Sequence, residues 1–337
     1  MKWLRRSSHN RYFKWVNFRS PYLFNSTSQA TKFLISIIST GVFLSGDAAK
    51  FQLKSLAVDS TNNLSSQISN IAINISVKVL DQDFLGSGLI IKHQGDRYIV
   101  VTNQHVLRAG EAPYQVQTSD GKIHSAKVLP NKLKKKDNYD LALLEFQANN
   151  TYSTAKIGKS AYLEVGERIF AAGFPYNQVE NNNTVGFESS QPYNTPKFAL
   201  KPGRISIVLN KALEQGYQIA YTNDVRKGMS GGALLNIQGE VIGINGKHAY
   251  PLWESPEFYQ DGSQPCPALQ DLITRSSLAI PIEKSIELNL QLEVLQPILE
   301  LKSDHKSNLL LEDQNLVLKM QTEATEINQS CKNFEQK

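Results

Sequence analysis

Gly228-Met229-Ser230-Gly231-Gly232 sets one serine among three glycines. Small residues on either side let backbone amides crowd close to the serine side chain, the arrangement a nucleophile with an oxyanion hole requires. A serine hydroxyl is a weak nucleophile, so the stretch calls for a histidine base and a carboxylate to orient it elsewhere in the chain. Working outward, Val100-Val101-Thr102-Asn103-Gln104-His105-Val106-Leu107 ends an apolar β-branched run on a histidine, and Asn138-Tyr139-Asp140-Leu141-Ala142-Leu143-Leu144 starts another with an aspartate. The chain order is His105, Asp140, Ser230.

Further segments fall in a fixed order around these three: Gly86-Ser87-Gly88-Leu89-Ile90-Ile91, Ala172-Gly173-Phe174-Pro175, Gly239-Glu240-Val241-Ile242-Gly243-Ile244-Asn245 and Leu278-Ala279-Ile280-Pro281-Ile282. Together, over roughly residues 68 to 290, they resemble the trypsin-like (chymotrypsin-fold) serine peptidases, most closely the bacterial HtrA/Deg branch. The resemblance implies an all-β fold of two six-stranded Greek-key barrels with the active site between them. His105 and Asp140 then sit on the first barrel and Ser230 on the second, and the Gly228 and Ser230 amides form the oxyanion hole. Met229 stands where zymogen-type members carry an aspartate, so no activation by a cut N-terminus is expected. About fifty residues follow Ile282, fewer than a further domain usually takes, and no PDZ-like module is expected there.

The pattern of the chain agrees with that fold. Short β-branched runs at Ile73 to Val79, Gly88 to Ile91, Arg97 to Val101, Ala126 to Leu129 and Leu141 to Phe146 are broken by turn formers such as Gln94-Gly95-Asp96. A second set follows at Arg168 to Ala172, Gly203 to Val208, Gln218 to Thr222, Ala233 to Asn236, Glu240 to Asn245 and Ser277 to Ile280. The expected organisation is a leader over 1–49, a Ser/Asn-rich linker over 50–67, a catalytic domain over 68–290 with barrels at about 68–165 and 166–290, and a tail over 291–337. The tail reads as one helix followed by a poorly ordered end. Insertions at Val179 to Lys201 and His248 to Arg275 interrupt the second barrel, the latter expected at the rim of the substrate pocket.

Charge is distributed unevenly. The formal net charge is +5, but residues 1–49 alone carry Lys2, Arg5, Arg6, Arg11, Lys14, Arg19 and Lys32 against Asp47, a net +6, which leaves −1 for the rest. A nearly neutral body argues against a nucleic-acid partner. The basic leader precedes the apolar stretch Phe33 to Leu44, shorter than the ~20 residues that span a bilayer, with Gly46, Ala48 and Ala49 at a plausible cleavage site. Export to the periplasm or medium is expected, with a membrane tether through residues 33–44 as the alternative. Cys266 and Cys331 allow at most one intramolecular disulfide, which would tie the tail to the catalytic domain; two free thiols are the other possibility.

Substrate preference has thinner support. Asp224 lies six residues before Ser230, where the resemblance puts the base of the primary pocket, and a buried carboxylate there would select Lys or Arg. Asn245-Gly246-Lys247 are expected to wall the pocket and pair with substrate backbone as an added strand. The remaining histidines show no metal-binding spacing and the glycines fit no phosphate loop, so no metal or cofactor is expected. Lys132 to Lys136 reads as a solvated loop. The expected activity is serine endopeptidase cleavage of peptide or unfolded-protein substrates, with a peptide-binding or chaperone-like module that does not turn over as the competing class. A serine esterase is disfavoured, because the segment lacks the strand-turn-helix setting of a nucleophile elbow.

Overall fold

The computed structural model describes residues 63–130, 138–176, 196–250, 256–289 and 311–335. Their strands close into two barrels. Barrel one comprises β1 (Ser76–Leu80), β2 (Phe84–Gln94), β3 (Arg97–Thr102), β4 (Tyr114–Gln117), β5 (Ile123–Val128) and β6 (Ala142–Gln147), in the order β1-β2-β3-β6-β5-β4. Barrel two comprises β7 (Arg168–Gly173), β8 (Ala199–Val208), β9 (Ile219–Tyr221), β10 (Ala233–Asn236), β11 (Val241–Lys247) and β12 (Ser277–Pro281), in the order β10-β11-β12-β9-β8-β7. Read from the first strand of each, the two orders are the same, and every pairing is antiparallel. The fold is the all-β double barrel expected from the sequence.

Both faces of the central strands are apolar because each faces a different core. In β3, Tyr98 and Val100 point into barrel one, while Ile99 and Val101 join a second cluster shared with barrel two. In β7 the same alternation sends Ile169 and Ala171 into barrel two and Phe170 and Ala172 into the shared cluster. Period-two side chains on a strand buried on both sides give the continuous β-branched runs seen in the sequence. The shared cluster fixes the two barrels against one another and so fixes whatever their loops carry.

Three local expectations change. Residues 63–75 form a helix that abuts β1, although 63–67 read as linker and Ile73 to Val79 as strand; Ile68, Ala72 and Ile75 repeat at helical spacing and are buried in the shared cluster. Strand β4 was not foreseen, since Tyr114-Gln115-Val116-Gln117 presents only Val116 as a fully buried apolar residue. The chain end is ordered where the sequence reading expected disorder: after a helix at Ile282–Asn289, a long helix runs over Leu311–Glu335. It docks on barrel two through Val317 against Gly166, buried Ala324 and Ile327, ion pairs Arg204–Asp313 and Arg275–Glu323, and a disulfide from Cys331 to Cys266. The leader 1–49, most of the insertion at Val179 to Lys201, and Lys132 to Lys136 lie outside the described residues.

Candidate active site

His105 rides on a single helical turn, Gln104–Arg108, that caps the end of β3. Two buried side chains hold that turn down. Thr102 Oγ1 donates to the Ser87 carbonyl at 2.7 Å, and Asn103 Nδ2 donates to the Asp140 carbonyl at 2.8 Å. Asp140 lies two residues before β6, which pairs with β3, so the strand register itself brings the aspartate beside the histidine. The His105 amide donates to Asp140 Oδ1 at 2.8 Å, and His105 Nδ1 lies 2.6 Å from Oδ2.

The Asp140 side chain is only 3% exposed. Burial alone would raise its pKa, but the hydrogen bond and charge of His105, a hydroxyl donated by Tyr217 and the His105 amide together hold it below the ordinary carboxylate value. It is therefore an anion at neutral pH, able to fix the imidazole tautomer and to stabilise an imidazolium.

Ser230 enters from barrel two, on the turn between Met229 and Gly231. Met229 is fully buried in the interior of barrel two and anchors the turn by its side chain. The turn is also bound to barrel one. Ser87 on β2 receives the amide of Phe174 on its hydroxyl at 2.9 Å, donates that hydroxyl to the Gly228 carbonyl at 2.7 Å, and donates its own amide to the Ser230 carbonyl at 2.9 Å. Gly228 (φ +94°) and Gly231 (φ +83°) take backbone angles that side chains resist. A Cβ on Gly231 would sit 2.1 Å from the Ser87 carbonyl oxygen and one on Gly228 2.5 Å from that of Phe174. Among the described residues neither the Gly228 nor the Ser230 amide donates a hydrogen bond within the protein, whereas Met229, Gly231 and Gly232 all do. Two backbone amides beside Ser230 thus have no acceptor among the described residues.

The Ser230 hydroxyl donates to the Gly246 carbonyl at 3.2 Å and, among the described residues, makes no hydrogen bond to His105. His105 and Asp140 are paired; the serine is turned toward the neighbouring strand.

The specificity residues fare differently. Asp224 is not a buried pocket carboxylate. Its side chain is 57% exposed and paired with Arg226 at 2.9 Å and Lys201 at 3.5 Å, while the adjacent Asn223 points inward and is buried. The chain turns tightly here, with the Val225 amide bonded to the Asn223 carbonyl at 2.8 Å, which leaves Asp224 on the outside of the turn. Asn245 is fully buried, and its side chain ties barrel two together through Ala172, Ala233 and Tyr221 instead of facing a pocket. Gly246 is beside Ser230. Lys247 binds Glu257 at 2.7 Å, which holds the chain at 257 against this strand.

Motif reading missed Ser87 as a hydroxyl and Tyr217 altogether. Ser87 lies inside a quoted glycine-rich motif, which could have flagged it. Nothing local marks Tyr217.

With this geometry in hand, the comparisons with known proteins are specific. A family described as trypsin-like peptidase domain matches residues 86–244. The chain is 31% identical over 162 residues to "Serine protease HTR4" of Rattus norvegicus, spanning 48% of this chain and 29% of that protein. It is 33% identical over 164 residues to "Probable periplasmic serine endoprotease DegP-like" of Buchnera aphidicola subsp. Schizaphis graminum, again 48% and 29%. A solved structure described as "HtrA-type protease AlgW with decapeptide" superposes with TM-score 0.48 and 19% identity over 67% of this chain and 66% of that one. The chain therefore matches about three tenths of the length of such curated relatives.

Proposed function

Since the chain carries a trypsin-like serine peptidase domain related to the HtrA/DegP-like proteases, we propose that it is a serine endopeptidase acting through Ser230, His105 and Asp140. In this mechanism the Ser230 hydroxyl turns from the Gly246 carbonyl to His105 Nε2 and attacks a peptide carbonyl as His105 takes its proton. Asp140 holds the imidazole by Nδ1 and stabilises the cation that forms. The developing oxyanion is met by the Gly228 and Ser230 amides, and His105 then protonates the leaving amine. A water activated by the same histidine releases the acyl group.

The observation that carries this reading is the His105–Asp140 pair, bonded through both carboxylate oxygens and buried at its acidic end. The open Gly228 and Ser230 amides add to it. An extended peptide laid along β11 at Gly246 and Lys247 is the substrate class. Export agrees with the basic leader and the periplasmic description of one relative.

Cleavage of a P1-varied fluorogenic peptide library by the full chain, beside Ser230→Ala, tests the proposal. Turnover that falls about 10⁶-fold in the variant supports it. Equal, background rates from two folded proteins would reject it in favour of a peptide-binding module. Because Asp224 is exposed and paired, Lys and Arg are not expected at P1, and Asp224→Asn should leave the P1 profile as it is.

A further inference from the structure

Tyr217 is fully buried and belongs to barrel two, yet its hydroxyl donates to Asp140 Oδ2 of barrel one at 2.5 Å. The direction of that bond is fixed. An ionised carboxylate only accepts, and burial together with the Asp140 charge pushes the Tyr217 phenol well above its usual pKa, so it keeps its proton. Oδ1 is taken by the His105 amide and Oδ2 by the His105 ring, which leaves Tyr217 as the second donor to Oδ2.

The space for that hydroxyl exists because residue 246 is glycine. A Cβ there would stand 2.3 Å from the Tyr217 oxygen and 2.4 Å from its ring. Gly246 also accepts the Ser230 hydroxyl, so Ser230, Gly246, Tyr217 and Asp140 touch in sequence. The ring is clamped from outside by the Lys247 ammonium, 4.8 Å from its centroid and itself bound to Glu257. The turn leading to Tyr217 is stitched to the following insertion: the Glu214 amide donates to Phe258 and the Gln260 amide to Ala212, while the Gln215 carbonyl receives the Asp140 amide. Both the main chain and the side chain of Asp140 are thus held from the opposite barrel.

We propose that Tyr217 is a positioning residue for the catalytic carboxylate, its hydroxyl standing in the space Gly246 leaves open and fixing Asp140 Oδ2 against the His105 ring. The proposal rests on the triad reading above. Without the hydroxyl, Oδ2 is left with the imidazole as its sole partner. The carboxylate is then freer to turn, and its less dispersed charge holds the His105 proton more tightly. The charged and titratable groups around the pair are Tyr217, with Lys247, Glu257 and Tyr221 beyond it in barrel two. Tyr217→Phe removes none of the others.

The test compares kcat, KM and the pH profile of peptide cleavage by the full chain and Tyr217→Phe, with Ser230→Ala as the blank. The expected result is a kcat lower by on the order of tenfold, KM near the parent value, and an acid limb moved to higher pH. A kcat and acid limb equal to the parent's would overturn the proposal, as would a loss that merely follows the fraction of folded protein. Rescue gives an independent arm: in Tyr217→Leu the shortened side chain frees space at residue 246, and adding Gly246→Ser puts a hydroxyl there. Regained kcat over Tyr217→Leu alone supports positioning, and none regained from a folded protein opposes it. Should the parent itself fail to turn over, the low-field proton resonance of the His105 Nδ1–H still decides. Its titration must shift in Tyr217→Phe, and an unmoved resonance overturns the role.

Discussion

Barrel one and barrel two share one strand order but are finished in different ways. Barrel one is self-contained: Tyr98 stacks on Phe146, and Tyr152 and His124 close the cluster edge-on, sealing the end of the barrel with its own aromatic rings. Barrel two is braced from outside by the Leu311–Glu335 helix, the Cys266–Cys331 disulfide and the Arg204 and Arg275 ion pairs. The candidate site divides along the same line, with the His105–Asp140 pair on the self-contained barrel and Ser230 on the braced one. Beyond the shared apolar cluster, the two halves of the site are joined by hydrogen bonds between the barrels, among them Ser87 to Gly228 and Tyr217 to Asp140. Chemistry should therefore be breakable at those crossings without unfolding either barrel, and stability breakable at the braces without touching the chemistry.

The largest effect is expected within barrel one. Asp140→Asn keeps the shape of the side chain but replaces an acceptor facing His105 Nδ1 with an amide that favours the wrong tautomer. Loss of kcat of about 10⁴-fold is expected, as in the well-characterised triads, with the far-UV circular dichroism of the parent. A loss below tenfold would mean that the pair observed at 2.6 Å is not the working base.

Gly228→Ala probes the crossing from the other side. The added Cβ meets the Phe174 carbonyl oxygen at 2.5 Å on a backbone with φ +94°, so the peptide must rotate and one of the two open amides turns away from the cleft. Removal of one oxyanion donor costs about 10² to 10³ in kcat. KM should change far less, and unaltered kcat would show that the Gly228 amide is not a donor in the reaction.

The contrast between these sites and the rest of the molecule explains what could be read in the sequence. The barrels were legible because strands buried on two faces leave unbroken β-branched runs; His105 and Asp140, which the structure pairs, stand at the ends of such runs, and Ser230 was singled out by its glycine cluster. Tyr217 was not legible, because its contact with Asp140 depends on which residue of the other barrel faces it and on the missing side chain at 246. Asp224 lies on the outside of a tight turn after β9, with Asn223 buried beside it, and a motif count does not give the direction of a side chain at such a turn. The Leu311–Glu335 helix was hidden because its contacts with barrel two, Val317, Ala324, Ile327 and Cys331, form one narrow stripe on an otherwise polar element.

Braces should behave in the opposite way to crossings. Cys266→Ser opens a link between positions 65 residues apart and frees the end of the long helix. A stability loss of about 2–4 kcal/mol is expected by chemical denaturation, with kcat within about twofold of the parent below the unfolding transition. A large kcat loss from the folded variant would mean that the helix reaches the site, which would erase the distinction between brace and crossing.

The smallest effect separates the buried acid of barrel one from the exposed acids of barrel two. Asp140 has its folded pKa held below the ordinary value by His105 and Tyr217 despite burial, and Asp120 on the same barrel is held at about 2 by the Thr118 hydroxyl. For a carboxylate depressed in the folded state, the unfolded chain binds the proton first as pH falls. Its contribution is complete above the unfolded pKa, near 4, and is lost as pH drops through the folded value. Asp224 is also lowered, chiefly by Arg226, but its exposure leaves that interaction screened by solvent. Denaturation midpoints at pH 5 and pH 3 should therefore fall in the parent and in Asp224→Asn alike, and fall less in Asp140→Asn. Equal acid sensitivity in all three would place the stabilising charge elsewhere and leave the cross-barrel hold on Asp140 a matter of catalysis alone.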